Sequence, residues 1–192
     1  GWLYVFKGTT SGFSKTPLVA GKSGLDIKNI RPLNLSSIKG MPNYISVSFG
    51  TPVRKTMILK PNISNNRLTI DNVQTLSDPL IQNGFGHMYS GGFSSEGKSY
   101  IAQFSAELNT LKVAIFNAKN DFKHVTTEIL GIGKSRGIIG AEVQAFDNLK
   151  KQAKGLLIPF RTGEVKILNV SNEKVELIDS KFSHEDLFLD MK

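Results

Sequence analysis

The feature that most constrains this chain is the shortness of its apolar runs. Residues 44–49 (YISVSF) and 165–170 (VKILNV) are typical, since they alternate polar with apolar positions and are rich in β-branched side chains. Turn-forming residues separate such runs, for example at 61–66 (PNISNN) and 161–164 (RTGE). Alternation of period two between turn residues is typical of half-buried strands joined by short loops. The sequence therefore predicts an all-β protein made mainly of antiparallel meanders.

The strand pattern recurs along the chain. Apolar strands open four candidate repeats, at Trp2, Tyr44, Tyr100 and Leu156. A second strand, a polar turn and a third strand follow each of them, and the third strands are expected near residues 25–30, 68–73, 124–129 and 175–178. Intervals of about 42 to 56 residues fit stacked β repeats. We expect a single β-rich domain over residues 1–192, or a fragment of a larger repeat protein.

One stretch has a more specific pattern. Residues 93–102 (FSSEGKSYIA) place an apolar residue before a Ser-rich turn, Gly-Lys and a strand, and residues 109–116 (NTLKVAIF) supply the next strand. Residues 93–116 resemble part of a β-propeller blade, in which glycine takes the left-handed position of the turn. The Trp-Asp and Gly-His signatures of the WD class are absent. The resemblance implies propeller-like repeats, and a β-sandwich or barrel is the alternative fold.

One or two short helices are expected beside the strands. In residues 141–153 one helical face would carry Val143, Phe146, Leu149 and Ala153. Residues 143–146 also fit a strand. A second short helix is expected at residues 185–191, with Ser183 as its N-terminal cap.

One motif has two interpretations. Residues 92–99 (GFSSEGKS) match the phosphate-loop pattern GxxxxGK[ST], in which nucleotide phosphates and magnesium would be bound by Gly92, Gly97, Lys98 and Ser99. A phosphate loop requires a buried strand before it and a helix after it. Residues 83–91 are rich in glycine and poor in aliphatic side chains. We therefore interpret residues 92–99 as a hairpin turn and keep nucleotide binding as an alternative.

Composition limits the remaining chemistry. The chain has no cysteine, which excludes disulfides, thiol catalysis and zinc–thiolate sites. The histidines lack the spacing of a helical metal-binding pair, and no GxSxG nucleophile elbow is present. No run is long enough for a transmembrane helix. The sequence thus indicates no catalytic residue, metal site or cofactor, and it does not indicate a cellular compartment.

The net charge of +8 favours anionic partners. The lysines are spread along the chain, and no basic block of five occurs. We therefore expect at most weak electrostatic binding to anionic polymers.

Aromatic residues supply the candidate contact surface. Sugars or bases would stack on an exposed group formed by Trp2, Tyr4, Phe85, Tyr89 and Phe93. Burial in the core is the competing interpretation for aromatics in strands. We expect a soluble, non-enzymatic binding or scaffold protein that presents a basic β-repeat surface to a protein partner. The alternative is a ligand-binding β-sandwich or barrel that takes a sugar or an apolar ligand.

Overall fold

Strands dominate the described part of the chain. The computed structural model describes residues 2–6, 8–17, 19–22, 27–33, 44–49, 54–64, 67–83, 88–107, 109–132, 144–148, 153–160 and 162–183. The strands are β1 (Trp2–Val5), β2 (Gly8–Thr9), β3 (Gly12–Phe13), β4 (Val19–Lys22), β5 (Ile27–Leu33), β6 (Tyr44–Phe49), β7 (Lys55–Ser64), β8 (Arg67–Leu76), β9 (Met88–Ser95), β10 (Lys98–Glu107), β11 (Thr110–Asn117), β12 (Lys123–Gly131), β13 (Gln144–Asn148), β14 (Ala153–Pro159), β15 (Glu164–Ser171) and β16 (Lys174–Ser183). One short helix, α1 (Pro79–Gln82), lies between β8 and β9. The all-β prediction is confirmed.

Three four-stranded antiparallel sheets contain most of these strands, and each joins its strands in chain order. The first sheet is β5-β6-β7-β8, the middle sheet is β9-β10-β11-β12, and the last sheet is β13-β14-β15-β16. Two small sheets precede them, one pairing β1 with β4 and the other pairing β2 with β3. Within the three large sheets every connection except the one between β5 and β6 is short, so the antiparallel meanders expected from the sequence are present.

Three of the four predicted repeats are present, and each is one strand longer than predicted. The repeat predicted to open at Trp2 is wrong, because β1 pairs with β4 and residues 27–33 form β5, the first strand of the next sheet. The meander expected from residues 156 to 178 is present as β14, β15 and β16, but β13 precedes it in the same sheet. Likewise the middle sheet begins at β9, before the strand that contains Tyr100. The glycines of β9 concealed that strand from sequence analysis, because glycine in a row of polar residues is more typical of a loop.

The helix predicted at residues 141–153 is wrong where the structure describes it. Residues 144–148 form β13 and pair with β14, so that Phe146 lies opposite Gly155. The four apolar residues of the predicted helix are spaced by three or four positions, as in a helix, and few of them alternate as in a strand. Pairing with β14 decided in favour of the strand. The helix predicted at residues 185–191 lies outside the described residues.

No helix in the described ranges reaches the length and hydropathy of a membrane span.

The middle sheet is buried on both faces, because the first sheet packs on one face and the last sheet packs on the other. On one face Met88, Ile101 and Phe116 form a hydrophobic cluster with Ile58 and Leu76 of the first sheet. The opposite face forms a second cluster with the last sheet, and its members include Tyr89, Phe93, Phe104, Val113, Leu156, Ile158 and Leu168. The chain therefore alternates its side chains between two apolar interfaces, which explains the nearly continuous apolar run in β11.

Candidate functional site

An apolar pocket lies between the N-terminal strands and the first sheet. Its volume is about 570 Å³. The lining consists of Tyr4, Val5, Phe6, Phe13, Ser14, Ile45, Leu59 and Ile70. The first five come from the segments around β1 and β3, and the last three come from β6, β7 and β8. We call this the N-terminal pocket.

The floor of the N-terminal pocket is the face of the first sheet that points away from the middle sheet. Ile45, Leu59 and Ile70 pack there in a cluster with Val47 and Phe49. In β6 the residues between them, Ser46 and Ser48, point to the other face and contact Ser90 of the middle sheet. The alternation of β6 thus builds a hydrocarbon floor on one side and a polar layer on the other.

The rim of the N-terminal pocket is aromatic and accessible. Tyr4 is 50% exposed, Phe6 is 43% exposed and Phe13 is 80% exposed. The rings of Tyr4 and Phe6 are 6.4 Å apart and tilted by 33°. Isolated exposed apolar residues are ordinary, but neighbouring ones beside an apolar cavity mark a contact surface. The pocket is therefore the strongest candidate for ligand binding in the described part of the chain.

The aromatic surface expected from the sequence is only partly present in this place. Tyr4 lines the N-terminal pocket. Tyr89 and Phe93 are instead buried between the middle and last sheets, with ring centroids 5.9 Å from Phe104 and 5.8 Å from Tyr100, respectively. Their strand β9 has neighbours on both faces, so neither ring belongs to an exposed stacking surface. The side chain of Trp2 and residue 85 lie outside the described part of the chain.

Phe6 and Phe13 belong to the pocket but were not predicted from the sequence. Phe6 precedes the hairpin of β2 and β3, and Phe13 lies within β3 opposite Gly8. The segment GTTSGF at residues 8–13 carries a signal that was available. An aromatic residue that directly follows a glycine-rich turn has little chain around it to cover its ring. The remaining lining residues come from strands distant in sequence, which only the fold brings together.

The segment that matches the phosphate-loop pattern is a β-hairpin. Ser95 pairs with Lys98, so the turn contains only Glu96 and Gly97. These two residues have φ angles of 49° and 72°, the left-handed pair that a type I′ turn requires. Gly92 lies within the ladder opposite Ile101. The hairpin interpretation is confirmed, and a strand follows the turn where a phosphate loop requires a helix.

The same hairpin is engaged with the last sheet. Ser95 Oγ donates a hydrogen bond to the Val170 carbonyl oxygen (2.7 Å) and lies 2.8 Å from Asn169 Oδ1. Glu96 accepts a hydrogen bond from Ser171 Oγ at 3.1 Å. Lys98 lies 3.7 Å from the Glu173 carboxylate across the same junction. The polar side chains of the turn therefore fix one sheet against the next.

Burial raises the pKa of the Tyr100 phenol above its ordinary value. Lys98 acts in the opposite sense, while Glu96 and Glu173 raise the pKa further. The raised pKa favours the neutral phenol, which fits a packing role beside the hairpin.

A layer of hydroxyl and amide groups lies between the first and middle sheets. Ser48 Oγ is 3.1 Å from Thr56 Oγ1 and 3.0 Å from Ser90 Oγ. Gln103 Nε2 donates to Thr56 Oγ1 at 3.1 Å and also approaches the Leu76 carbonyl oxygen at 3.4 Å. The side chains of this layer are at most 1% exposed. They are closed to a substrate, and their hydrogen bonds set the register between the sheets.

One cluster superficially combines a hydroxyl, an imidazole and an acid. Thr127 Oγ1 donates to Asp78 Oδ2 at 2.7 Å, and His124 Nε2 lies 2.7 Å from the same hydroxyl. A nucleophilic triad needs the imidazole between the hydroxyl and the acid. Here the hydroxyl proton goes to Asp78, whose other oxygen caps α1 at Leu80 N (2.9 Å). The cluster therefore holds α1 against β12. No group of three metal-ligating side chains occurs within the described residues.

Comparison with known proteins adds no assignment to this geometry. No protein-family model matches the chain, and the curated proteins contain no significant match. The N-terminal pocket is thus argued from its lining and shape alone.

Proposed function

We propose that this chain is a non-enzymatic binding protein in which propeller-type β repeats form the scaffold and the N-terminal pocket takes an apolar ligand. Three consecutive four-stranded meanders, stacked face to face, support the repeat assignment. The first strand of the middle sheet, β9, contacts the first strands of both flanking sheets, β5 and β13. First strands gathered in this way are typical of propeller repeats. The described sheets do not close into a ring.

The observation that carries the binding function is the contrast between the N-terminal pocket and the polar clusters. The hydroxyl layer is inaccessible, and the Glu96 side chain of the hairpin turn is hydrogen-bonded to the last sheet. The pocket is open at an aromatic rim and has a volume within the range of about 300–1,000 Å³ typical of small-ligand sites. The pocket therefore favours binding of an apolar molecule over catalysis as the function of this chain.

A scaffold role with a protein partner is the second candidate. Among the side chains that the structure describes, the last strand of each large sheet carries an exposed apolar one, namely Val73 on β8, Ile129 on β12 and Ile178 on β16. Strands at a sheet edge present unpaired backbone groups that a partner strand can use. The net charge of +8 would favour an acidic partner at such a basic β-repeat surface.

Titration with Nile red, a neutral dye that brightens in apolar surroundings, tests the proposed function. We expect saturable one-site binding. The double variant Tyr4→Ser/Phe13→Ser should weaken it by about tenfold or more, because both rings leave the rim. These side chains are at least half exposed, so the fold should be retained.

The matched control for this titration is Ile129→Ser, which removes an exposed apolar side chain far from the pocket in the sheet order. Its dye affinity should equal that of the parent chain. The proposed function would be refuted if the dye did not saturate, or if the control lost as much affinity as the double variant.

A further inference from the structure

We infer that the N-terminal pocket selects a compact, neutral, ring-containing molecule with few hydrogen-bonding groups, and that it discriminates against carboxylates and sugars. This inference rests on the proposed function and specifies the ligand class. Three features of the described lining support it: the absence of charge, the scarcity of polar atoms, and the combination of an aromatic wall with an aliphatic floor.

The absence of charge separates neutral from anionic ligands. None of the eight described lining residues is a lysine, arginine, histidine, aspartate or glutamate, even though the whole chain carries a net charge of +8. A carboxylate that enters an apolar pocket loses hydration, and the loss is large unless a cation or several hydrogen-bond donors replace the water. The described lining offers no such cation. A fatty acid or an aromatic acid should therefore bind less tightly than its neutral counterpart.

The scarcity of polar atoms separates apolar ligands from sugars. Among the lining residues that the structure describes, only Tyr4 and Ser14 carry side-chain oxygens. Ser14 Oγ already donates a hydrogen bond to the Thr16 carbonyl oxygen at 2.8 Å. A sugar ring carries hydroxyl groups around its whole circumference, and each unpaired hydroxyl that becomes buried is unfavourable. Stacking on an aromatic ring does not compensate for several unpaired hydroxyls, so the sugar ligand considered from the sequence does not fit this lining.

The shape of the lining favours a ring over an extended chain. Tyr4, Phe6 and Phe13 form the aromatic wall, and Ile45, Leu59 and Ile70 form the aliphatic floor. A flat ring system placed between them stacks on one side and makes dispersion contacts on the other. The pocket volume of about 570 Å³ suits one drug-sized molecule. The structure thus predicts a molecule of the size and polarity of a hydroxylated polycyclic hydrocarbon.

Displacement of bound Nile red by three probes tests this inference at pH 7. The probes are 2-naphthol, which is neutral, 2-naphthoate, which has the same rings and a negative charge, and methyl β-glucoside. We expect 2-naphthol to displace the dye, 2-naphthoate to require at least about tenfold more ligand, and the glucoside to leave the dye bound.

A charge placed at the rim sharpens the test. Phe13 is 80% exposed, so Phe13→Lys should be tolerated by the fold. The introduced lysine supplies the cation that the described lining lacks. It should lower the ratio of the 2-naphthoate concentration to the 2-naphthol concentration needed for displacement by about threefold or more. Ile129→Lys adds the same charge far away and should leave the ratio unchanged. An unaltered ratio in Phe13→Lys would contradict the inference.

Different results would refute the ligand class and the binding function. If Nile red binds with the expected dependence on Tyr4 and Phe13, but 2-naphthoate or the glucoside displaces it as well as 2-naphthol does, the ligand class is wrong and the binding function stands. The same holds if 2-naphthol does not displace the dye. If Nile red itself does not bind, both the proposed function and the ligand class are refuted.

Discussion

At the scale of a single residue, Gly155 sets how closely two strands of the last sheet approach. It lies in β14, opposite Phe146 of β13, and its other side faces β15. A Cβ atom at this position would be 2.3 Å from the Leu168 carbonyl oxygen and 2.8 Å from Ile167 Cγ2. The nearer contact is with backbone, which cannot rotate away as a side-chain end does. Glycine is therefore required here by space.

Gly155→Ala is expected to lower the free energy of unfolding by about 2 kcal/mol or more, because β14 and β15 must separate to admit the methyl group. Urea unfolding followed by circular dichroism measures the change. Gly131→Ala is the matched control, since Gly131 also lies in a strand but has no atom within 4 Å of an added Cβ. The control should change stability by no more than about 0.5 kcal/mol. Equal midpoints for the two variants would contradict this account.

At the scale of the element, the hairpin of β9 and β10 shows why a short motif needs its context. The pattern GxxxxGK[ST] describes residue types alone. A glycine precedes a lysine both in a phosphate loop and in this type I′ hairpin. The φ angle of 72° at Gly97 and the pairing of Ser95 with Lys98 belong to the hairpin. Lys98 is about half exposed beside Glu173, where a surface ion pair contributes little stability.

The hairpin predicts different responses at two adjacent positions. Gly97→Ala should cost about 1 kcal/mol of unfolding free energy, because alanine resists a positive φ, and Gly97→Asn should cost less. Lys98→Ala should change stability by no more than about 0.5 kcal/mol. Calorimetric titration of the parent chain with magnesium-ATP should give no saturable heat. Saturable binding that disappears in Lys98→Ala would reinstate the nucleotide-binding alternative.

The strands were predictable where one physical pattern acted alone. Residues 44–49 and 165–170 alternate cleanly, and both are strands. At Phe146 the apolar spacing fitted a helix as well as a strand, and pairing with a distant segment decided the outcome. The N-terminal pocket could not be predicted, because Phe13 and Ile70 come to line one cavity only through the fold and no local pattern records that placement.

At the scale of the whole molecule, charge and shape act separately. The net charge of +8 is distributed over the sequence, while the N-terminal pocket has no ionised side chain in its described lining. Long-range attraction of anions and recognition of a ligand are therefore expected to be independent properties. A salt-dependent partner would bind outside the pocket.

Chromatography on heparin at increasing salt measures the first of these properties. Retention should be weak near physiological ionic strength, because spread lysines contact few sulfate groups together, and it should fall further as salt screens the charges. Occupying the pocket with Nile red should leave the elution position unchanged. A shift in elution on adding the dye would contradict the independence of charge and pocket.

The order of strand pairing has a consequence for how the chain is made. Within each large sheet every strand pairs with its neighbour in sequence, so each sheet is complete once its fourth strand has left the ribosome. No strand of these sheets has to wait at an open edge for a partner encoded far downstream. Local pairing of this kind shortens the conformational search and limits the time during which unpaired edges can join other nascent chains. Assembly can then proceed sheet by sheet, with each finished sheet offering an apolar face on which the next one condenses.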